Sequence, residues 1–268
     1  MKMTSGDISY AEGYAYIWEQ WFWLTEPYAT LVPYMVGIGN HEYDHSKGGI
    51  GRDPSNVTTD DGWIPDWFDG WVDSGGECGV PTAARYHMPD NGNLLFWYSF
   101  DYGMIHMIML STEHDFSPGS PQYKWLENDL RHVNRTETPW LFVGGHRAMY
   151  SSEKEHDDYV VAEHMQTLFE DLLYKYKVDI AFWAHYHSYE RTCKLFRNKC
   201  EENGIVHIIV GSAGMSLDID EWYKKEWSLF RIVAYGYGRV TVANSSALLY
   251  EWVENKHNKV TDHIWLYK

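Results

Sequence analysis

Short apolar runs alternate along the chain with longer amphipathic stretches, and several of these runs end directly at a short polar loop. Three runs are nearly continuous, which is typical of strands buried on both faces: Val32 to Ile38, Trp140 to Val143 and Asp179 to Trp183. Six further strands are predicted at Leu95 to Phe100, Met104 to Leu110, Ile205 to Val210, Gly238 to Val242, Leu248 to Val253 and His263 to Leu266. A strand followed by a polar loop is a common setting for functional side chains.

Between the strands lie stretches of the chain in which apolar residues recur at helical spacing. Three helices are predicted, at Tyr16 to Ala29, at Pro121 to Val133 after Ser120 as cap, and at Tyr159 to Tyr176. Strands that alternate with helices predict an α/β fold. The last strands alternate apolar and polar residues around a turn at Asn244, which indicates antiparallel hairpins and therefore a mixed sheet system. We take residues 1–268 as one domain, since their number suits a single large core.

The segment from Asp44 to Gly92 contains no predicted element, although it is rich in Gly, Asp and Trp. A loop of this length in a compact domain is usually a lid or a specificity loop. The spacing of Trp63, Trp67 and Trp71 indicates an aromatic stripe along a short helix. Alternatively, the tryptophans only pin the loop to the core, because aromatic side chains bury a large area.

The chain is strongly acidic, with a formal net charge of -16. This charge argues against nucleic acid or an anionic membrane as a partner. An anionic substrate would need a strong local positive centre, which bound metal cations can supply.

Several features bear on the compartment. No run approaches the roughly 18 consecutive apolar residues of a membrane span, and Met1 to Ser5 is too short and polar for a secretion signal. However, three sequons favour a secretory or vacuolar glycoprotein; they begin at Asn56, Asn134 and Asn244. Cys193 and Cys200 are near enough in sequence to form a disulfide across a small loop, and Cys78 would not be part of that disulfide.

Four polar signatures, three of which follow directly on apolar runs, combine the donor types of a two-metal site. They are Gly6-Asp7-Ile8-Ser9-Tyr10, Gly39-Asn40-His41-Glu42, Val143-Gly144-Gly145-His146 and Ala184-His185-Tyr186-His187. A carboxylate can bridge two cations, and imidazoles suit zinc, iron or manganese. His185 and His187 are two residues apart, which in extended chain places both on one face. Isolated histidines are more often structural, but the joint pattern favours metal ligands.

These signatures resemble motifs of the purple acid phosphatases, metallophosphoesterases with a ferric ion plus a divalent ion of zinc, manganese or iron. The resemblance covers nearly the whole chain, from Gly6 to strands near Trp265. It implies two mixed β-sheets sandwiched and flanked by helices. It also implies roles for six ligands: Tyr10 and His187 on the ferric ion, Asp7 as bridge, and Asn40, His146 and His185 on the divalent ion.

The chain departs from the family pattern at two places. The family's first motif, Asp-x-Gly, supplies another carboxylate to the ferric ion, and nothing before Gly6 can provide it. We therefore expect an N-terminally shortened chain that lacks the family's first strand and its upstream β-sandwich domain. Ala184 stands where the family usually has glycine.

The implied activity is the hydrolysis of small phosphate monoesters. His41 is expected to contact phosphate or assist proton transfer, and His156 is expected to donate a proton to the leaving group, a role that suits a group titrating near neutrality. Two alternatives stay open. The missing carboxylate would make the chain a noncatalytic family member, and the long loop could instead select a nucleotide, as in a nucleotide pyrophosphatase or phosphodiesterase.

Overall fold

Residues 1–43, 54–55, 65–67, 73–154, 159–219 and 221–268 are described by the structure, a computed structural model. By their contacts they divide into two compact units. The first unit comprises residues 1–99, 109–126 and 144–146, and the second comprises residues 100–108, 127–143 and 147–268, in each case where described.

The first unit is built around a pair of parallel strands and a helix. Strand β1 (Lys2–Ser5) pairs with β2 (Tyr34–Gly37), with Ser5 opposite Gly37. Helix α1 (Ala15–Ala29) connects them, and a short helix α2 (Val80–Arg85) follows. The side chain of Trp18 on α1 is fully buried against Ile8, Ala11 and Val36. This packing anchors α1 beside the loops that follow the two strands.

The remaining elements supply two further sheets. They are β3 (Tyr98–Tyr102), β4 (Ile105–Met109), α3 (Pro121–His132), β5 (Trp140–Gly144), α4 (Tyr159–Lys175), β6 (Ile180–Trp183), β7 (Tyr189–Phe196), β8 (Lys199–Cys200), β9 (Ile205–Val210), β10 (Ser228–Ile232), β11 (Gly236–Asn244), β12 (Ala247–Glu254) and β13 (Lys259–Tyr267). An eight-stranded sheet has the order β10-β7-β9-β6-β5-β4-β3, with β8 paired to β7. A three-stranded sheet has the order β11-β12-β13.

The predicted α/β class and most of the predicted elements are confirmed. All residues of β5 and β6 are buried, as their continuous apolar sequences predict. The eight-stranded sheet is mixed, because β6 pairs in parallel with β9 whereas β7 pairs with it antiparallel. The last three strands form antiparallel hairpins. The predicted disulfide between Cys193 and Cys200 is also present, and it lies where β7 pairs with β8.

Some elements lack a hydrophobic signal that would predict them. Strand β1 reads Lys-Met-Thr-Ser, β7 carries three charged residues, and β10 carries one among five residues. The sequence gives no clear signal for an element between Asp44 and Gly92, and helix α2 lies within that segment. Trp63 and Trp71 lie outside the described residues, so the predicted aromatic stripe does as well.

A buried ion pair joins two strands of the second unit. The Arg191 guanidinium on β7 donates to both carboxylate oxygens of Asp262 on β13, at 2.6 and 2.8 Å. The Tyr189 hydroxyl donates to the same carboxylate at 2.7 Å. All three side chains are buried, so each hydrogen bond offsets part of the cost of removing the two charges from water.

A second ion network contains a histidine that can titrate. His106 on β4 contacts Asp101 through Nδ1 at 2.6 Å and Asp129 through Nε2 at 2.9 Å. Burial lowers the pKa of His106, but the bonds to Asp129 and Asp101 outweigh it and raise that pKa above its usual value. The imidazolium is therefore the form that the folded state favours.

We expect His106→Asn to lower the free energy of unfolding by about 1 kcal/mol at pH 6, a modest value because Asp101 is mostly exposed. Because the pKa of His106 is higher in the folded state than in the unfolded state, its interactions stabilise the fold fully at pH values below the unfolded pKa. This stabilisation is lost as the pH rises through the folded pKa. The difference from wild type should therefore shrink by pH 9. Urea unfolding at both pH values measures it, with His257→Asn at an exposed position as control. A difference independent of pH would contradict the ionic role.

Candidate metal centre

Two loops of the first unit carry four of the predicted functional residues. Strands β1 and β2 are parallel, so their carboxyl ends lie at the same edge, and the loops after them start at Gly6 and Gly39. These two glycines touch closely. A Cβ atom on Gly6 would lie 2.6 Å from the Gly39 backbone, and one on Gly39 would lie 2.3 Å from the Asp7 carboxylate. The close approach of the loops therefore requires glycine at both positions.

The structure brings together four predicted ligands in this unit. His146 Nε2 lies 2.8 Å from Asn40 Oδ1 and 3.2 Å from Asp7 Oδ2. The Tyr10 hydroxyl lies 3.2 Å from the same Asp7 oxygen. His146 and Asn40 are buried, whereas Asp7 and Tyr10 are partly accessible. A carboxylate, a phenol, an amide oxygen and an imidazole thus face one point.

Hydrogen bonds on the far side of two of these groups orient them. The Nδ1 atom of His146 lies 2.8 Å from the carbonyl oxygen of Ser5, to which only an N–H can be bonded. The Asn40 amide donates its N–H to Asp73 at 2.9 Å. Both interactions leave an acceptor atom free of the supporting contact: Oδ1 of Asn40 faces Nε2 of His146, and that Nε2 also faces Asp7.

The contacts among these donor atoms fit a metal ion. Lone pairs of His146, Asn40 and Asp7 would repel one another at these distances unless a positive charge lies between them. Either a second proton on His146 or a cation supplies that charge. A donor set of nitrogen and oxygen atoms suits zinc, iron and manganese. The residues therefore fit one end of a metal centre.

The loop that carries Asp7 and Tyr10 has an unusual backbone. Both residues have positive φ, at 50° and 52°, which is uncommon for residues other than glycine. Such conformations cost roughly 1–3 kcal/mol each and persist only where the surroundings fix them. The buried Glu42 carboxylate accepts hydrogen bonds from the backbone N–H groups of Asp7, Ile8 and Gly39. Burial and the charge of Asp7 raise the pKa of Glu42, and the backbone hydrogen bonds from Ile8 and Gly39 oppose this rise.

His41, predicted as a catalytic residue, lies beside the four ligands. Its ring centroid lies 4.2 Å from that of Tyr10, and its backbone N–H donates to Asp7 at 3.2 Å. Its Nδ1 atom lies 3.3 Å from the Glu12 carboxylate. The imidazole is therefore close to the Asp7 loop and partly open to solvent.

His185 and His187 belong to the second unit, in the loop after β6. His187 Nδ1 lies 2.8 Å from the Ser216 carbonyl oxygen, which leaves Nε2 as the ligand atom. Its backbone N–H donates to Asp218 at 2.5 Å. His185 has a positive φ of 68°, and its Nε2 lies 3.5 Å from the Arg147 guanidinium. His187 is thus oriented by Ser216 and Asp218, and Nε2 of His185 lies near Arg147.

The sequence does not identify the residues that orient the ligands. Asp73 lies far along the chain from Asn40, and Asp218 lies similarly far from His187, so spacing gives no signal. Glu42 stands within the second of the four signatures, but nothing in the sequence shows that it points inward. His156, predicted as proton donor, and Asn56 of the first sequon lie outside the described residues.

Comparison with known proteins supports the same type of centre. Residues 3–189 match the family model described as calcineurin-like phosphoesterase. Residues 204–263 match the model described as iron/zinc purple acid phosphatase-like protein C. All six predicted metal ligands lie within the range of the first match.

Two plant proteins illustrate the range of similar sequences. "Probable inactive purple acid phosphatase 27" of Arabidopsis thaliana is 37% identical over 280 residues, which cover 98% of this chain and 42% of that protein. "Nucleotide pyrophosphatase/phosphodiesterase" of Hordeum vulgare is 35% identical over 277 residues, which cover 98% of this chain and 70% of that protein. The chain thus spans less than half the length of the Arabidopsis relative.

A solved structure shows the same fold. The purple acid phosphatase from yellow lupin (Lupinus luteus) seeds superposes with a TM-score of 0.83 at 34% identity, and the match covers 100% of this chain and 46% of the lupin chain. None of the helices in the described part of the chain combines the length and hydrophobicity that crossing a bilayer requires.

Proposed function

Since the chain belongs to the purple acid phosphatase family of calcineurin-like phosphoesterases, we propose that it hydrolyses small phosphate monoesters at a binuclear centre. The centre would hold a ferric ion and a divalent ion of zinc, manganese or iron. The observation that supports this most is the convergence of donor atoms from Asp7, Tyr10, Asn40 and His146.

The six predicted ligands are assigned as the family motifs imply. Tyr10 and His187 would bind the ferric ion, and Asp7 would bridge the two ions. Asn40, His146 and His185 would bind the divalent ion. The orienting contacts support this assignment, because each imidazole Nδ1 that faces a carbonyl oxygen leaves its Nε2 for a cation.

When bound, the metal ions supply positive charge for the phosphoryl oxygens and lower the pKa of water to about 7. The residues of the chain do the rest. His41 lies beside Tyr10 and would contact the phosphate or hold a proton near it. We keep His156 as the proposed proton donor to the leaving group. Because the net charge of the chain is -16, an anionic substrate would depend on the positive charge of the metal ions to approach this site.

Hydrolysis of a nucleotide pyrophosphate or phosphodiester is the second candidate function. It is favoured by one specific observation, the 35% identity to the barley protein whose name states that activity, over 70% of its length. The Arabidopsis name states the opposite expectation, an inactive protein. The two names set the alternatives that an assay must separate.

The chain, loaded separately with iron plus zinc, iron plus manganese, or no metal, should be assayed on an aryl phosphate monoester and on a dinucleotide pyrophosphate. The proposal predicts metal-dependent turnover of the monoester, with a larger kcat/KM than for the dinucleotide. A reversed ratio would establish the second candidate. Bound metal without turnover of either substrate would assign the chain to the inactive members, and failure to bind metal would overturn the centre itself.

We also propose that the protein passes through the secretory pathway as a glycoprotein. Asn134 and Asn244 of two sequons are exposed, and the side-chain oxygen of Asn244 accepts a hydrogen bond from Ser246 at 3.0 Å. The disulfide between Cys193 and Cys200 suits an oxidising compartment. Protein expressed in plant cells should lose mass on treatment with an N-glycosidase, and unchanged mass would contradict this proposal.

A further inference from the structure

Glu42 contacts the two loops that carry Asp7, Tyr10 and Asn40. Its Oε2 atom accepts hydrogen bonds from the backbone N–H groups of Asp7 at 2.7 Å and of Gly39 at 3.0 Å. Its Oε1 atom accepts from Ile8 at 2.6 Å. The side chain has no exposed surface. One buried carboxylate therefore holds three backbone groups of two separate loops.

The hydrogen bonds between the loops run in both directions. Glu42, from the loop after β2, receives the N–H of Asp7, whereas the Asp7 carboxylate receives the backbone N–H of His41 at 3.2 Å. The two loops are thus tied by reciprocal bonds from each acidic side chain to the other loop's backbone. Inside a protein such hydrogen bonds are electrostatically stronger than in water, so these buried bonds hold the two loops firmly.

The backbone of the first loop requires such support. Asp7 and Tyr10 have positive φ, so the loop would relax to other conformations if its N–H groups were released. Relaxation would move the Asp7 carboxylate away from His146 and the Tyr10 hydroxyl. Because Glu42 accepts from Gly39 as well, the start of the Asn40 loop would move too.

We propose that Glu42 is a positioning residue that fixes the two ligand loops at the distance and angle that a metal ion requires, without binding the ion itself. This inference rests on the proposed metal centre. It extends that centre, because it assigns the placement of Asp7, Tyr10 and Asn40 to the side chain of Glu42, which holds the backbone of their two loops.

Two substitutions separate the properties that Glu42 combines. Glu42→Gln keeps the length but has one acceptor oxygen, so its NH2 end must face at least one backbone N–H at 2.6 to 3.0 Å. Glu42→Asp keeps the charge but shortens the reach. A role of charge alone would survive in the Asp variant, and a role of space filling alone would survive in the Gln variant. The positioning role predicts that both variants are impaired.

Glu77→Gln is the matched control in the same unit. Glu77 is also a buried carboxylate, and it accepts from the backbone N–H of Gly13 at 3.1 Å and from the indole of Trp18 at 3.1 Å. It contacts the end of the first loop at Gly13 and helix α1 at Trp18, but it accepts none of the N–H groups of Asp7, Ile8 and Gly39 that Glu42 holds. Its substitution therefore reproduces the loss of a buried charge and leaves the proposed positioning intact.

Each variant and the wild-type chain should be titrated with Zn²⁺, and their amide hydrogen exchange followed by mass spectrometry without metal. We expect both Glu42 variants to bind Zn²⁺ about 10- to 100-fold more weakly, the usual effect of losing an outer partner of metal ligands. Peptides covering residues 1–10 and 36–43 should exchange faster than in wild type, whereas Glu77→Gln should match wild type in both measurements.

The outcomes distinguish this inference from the proposed function. Wild-type affinity together with wild-type exchange in either Glu42 variant would overturn the positioning role and leave the metal centre standing. Faster exchange over the whole chain would show general destabilisation and also overturn it. If the wild-type chain binds no Zn²⁺, the proposed centre fails and the inference fails with it.

Discussion

Replacing Asp7 by Ala should remove both metal ions and reduce phosphatase turnover to background. The Asp7 carboxylate lies 3.2 Å from both the Tyr10 hydroxyl and His146 Nε2, which are proposed to bind different ions, and this position is the reason for proposing Asp7 as the bridge. Metal ions contribute several kcal/mol of transition-state stabilisation, which corresponds to a loss of about a thousandfold in kcat/KM. Elemental analysis of the purified variant gives the metal content directly.

The control for this substitution is Asp90→Ala. Asp90 is exposed in the first unit, where it accepts from the backbone of Gly92 at 2.7 Å, so its loss changes the net charge equally without touching the centre. Absorbance in the visible range provides an independent measure, since a tyrosinate bound to ferric iron is coloured in this family. A variant at Asp7 that keeps both ions and the colour would refute the bridging role.

Replacing Asp262 by Ala should destabilise the protein by roughly 3–5 kcal/mol, the usual effect of removing one partner of a buried ion pair. The Arg191 guanidinium would lose two hydrogen bonds, and the Tyr189 hydroxyl would lose its acceptor. Burial is the main cause of the raised pKa of Tyr189 and remains in the variant, so this phenol stays neutral and cannot replace the lost charge interaction. Unfolding in guanidinium chloride measures the loss.

Asp171→Ala provides a control at the surface, where an aspartate also accepts two hydrogen bonds from an arginine. Asp171 accepts two hydrogen bonds from Arg197, at 2.8 and 2.9 Å, but both side chains are about two thirds exposed. Exposed pairs contribute about 0–1 kcal/mol. Equal destabilisation by both substitutions would show that burial of the Asp262 pair has no energetic consequence.

The sequence predicts the central strands because their environment is uniform. Residues Trp140 to Val143 and Ile180 to Trp183 are buried on both faces, and a short continuous apolar run is typical of such strands. Strand β1 could not be predicted in this way. Its four residues are only partly buried or exposed, and it is a strand because β2 pairs with it, which is a contact 32 residues away in sequence.

The candidate ligands could be predicted, but their supporting partners could not. Asp7, Asn40 and His146 stand in short motifs whose residue types indicate metal chemistry. Asp73 and Ser5, which orient two of them, contact the ligands only because the chain folds back, and Ser5 does so through its carbonyl oxygen. A backbone acceptor has no signature in a sequence, since every residue has one.

The parallel register of β1 and β2 has a consequence for which mutations the protein tolerates. Ser5 lies opposite Gly37, so Asp7 follows two positions after the last pair and Asn40 three positions after it. Inserting or deleting a single codon between Ser5 and Asp7, or between Gly37 and Asn40, shifts one ligand along the chain while the other stays in place. The length of each of these two loops is therefore as much a requirement of the centre as the identity of its ligands.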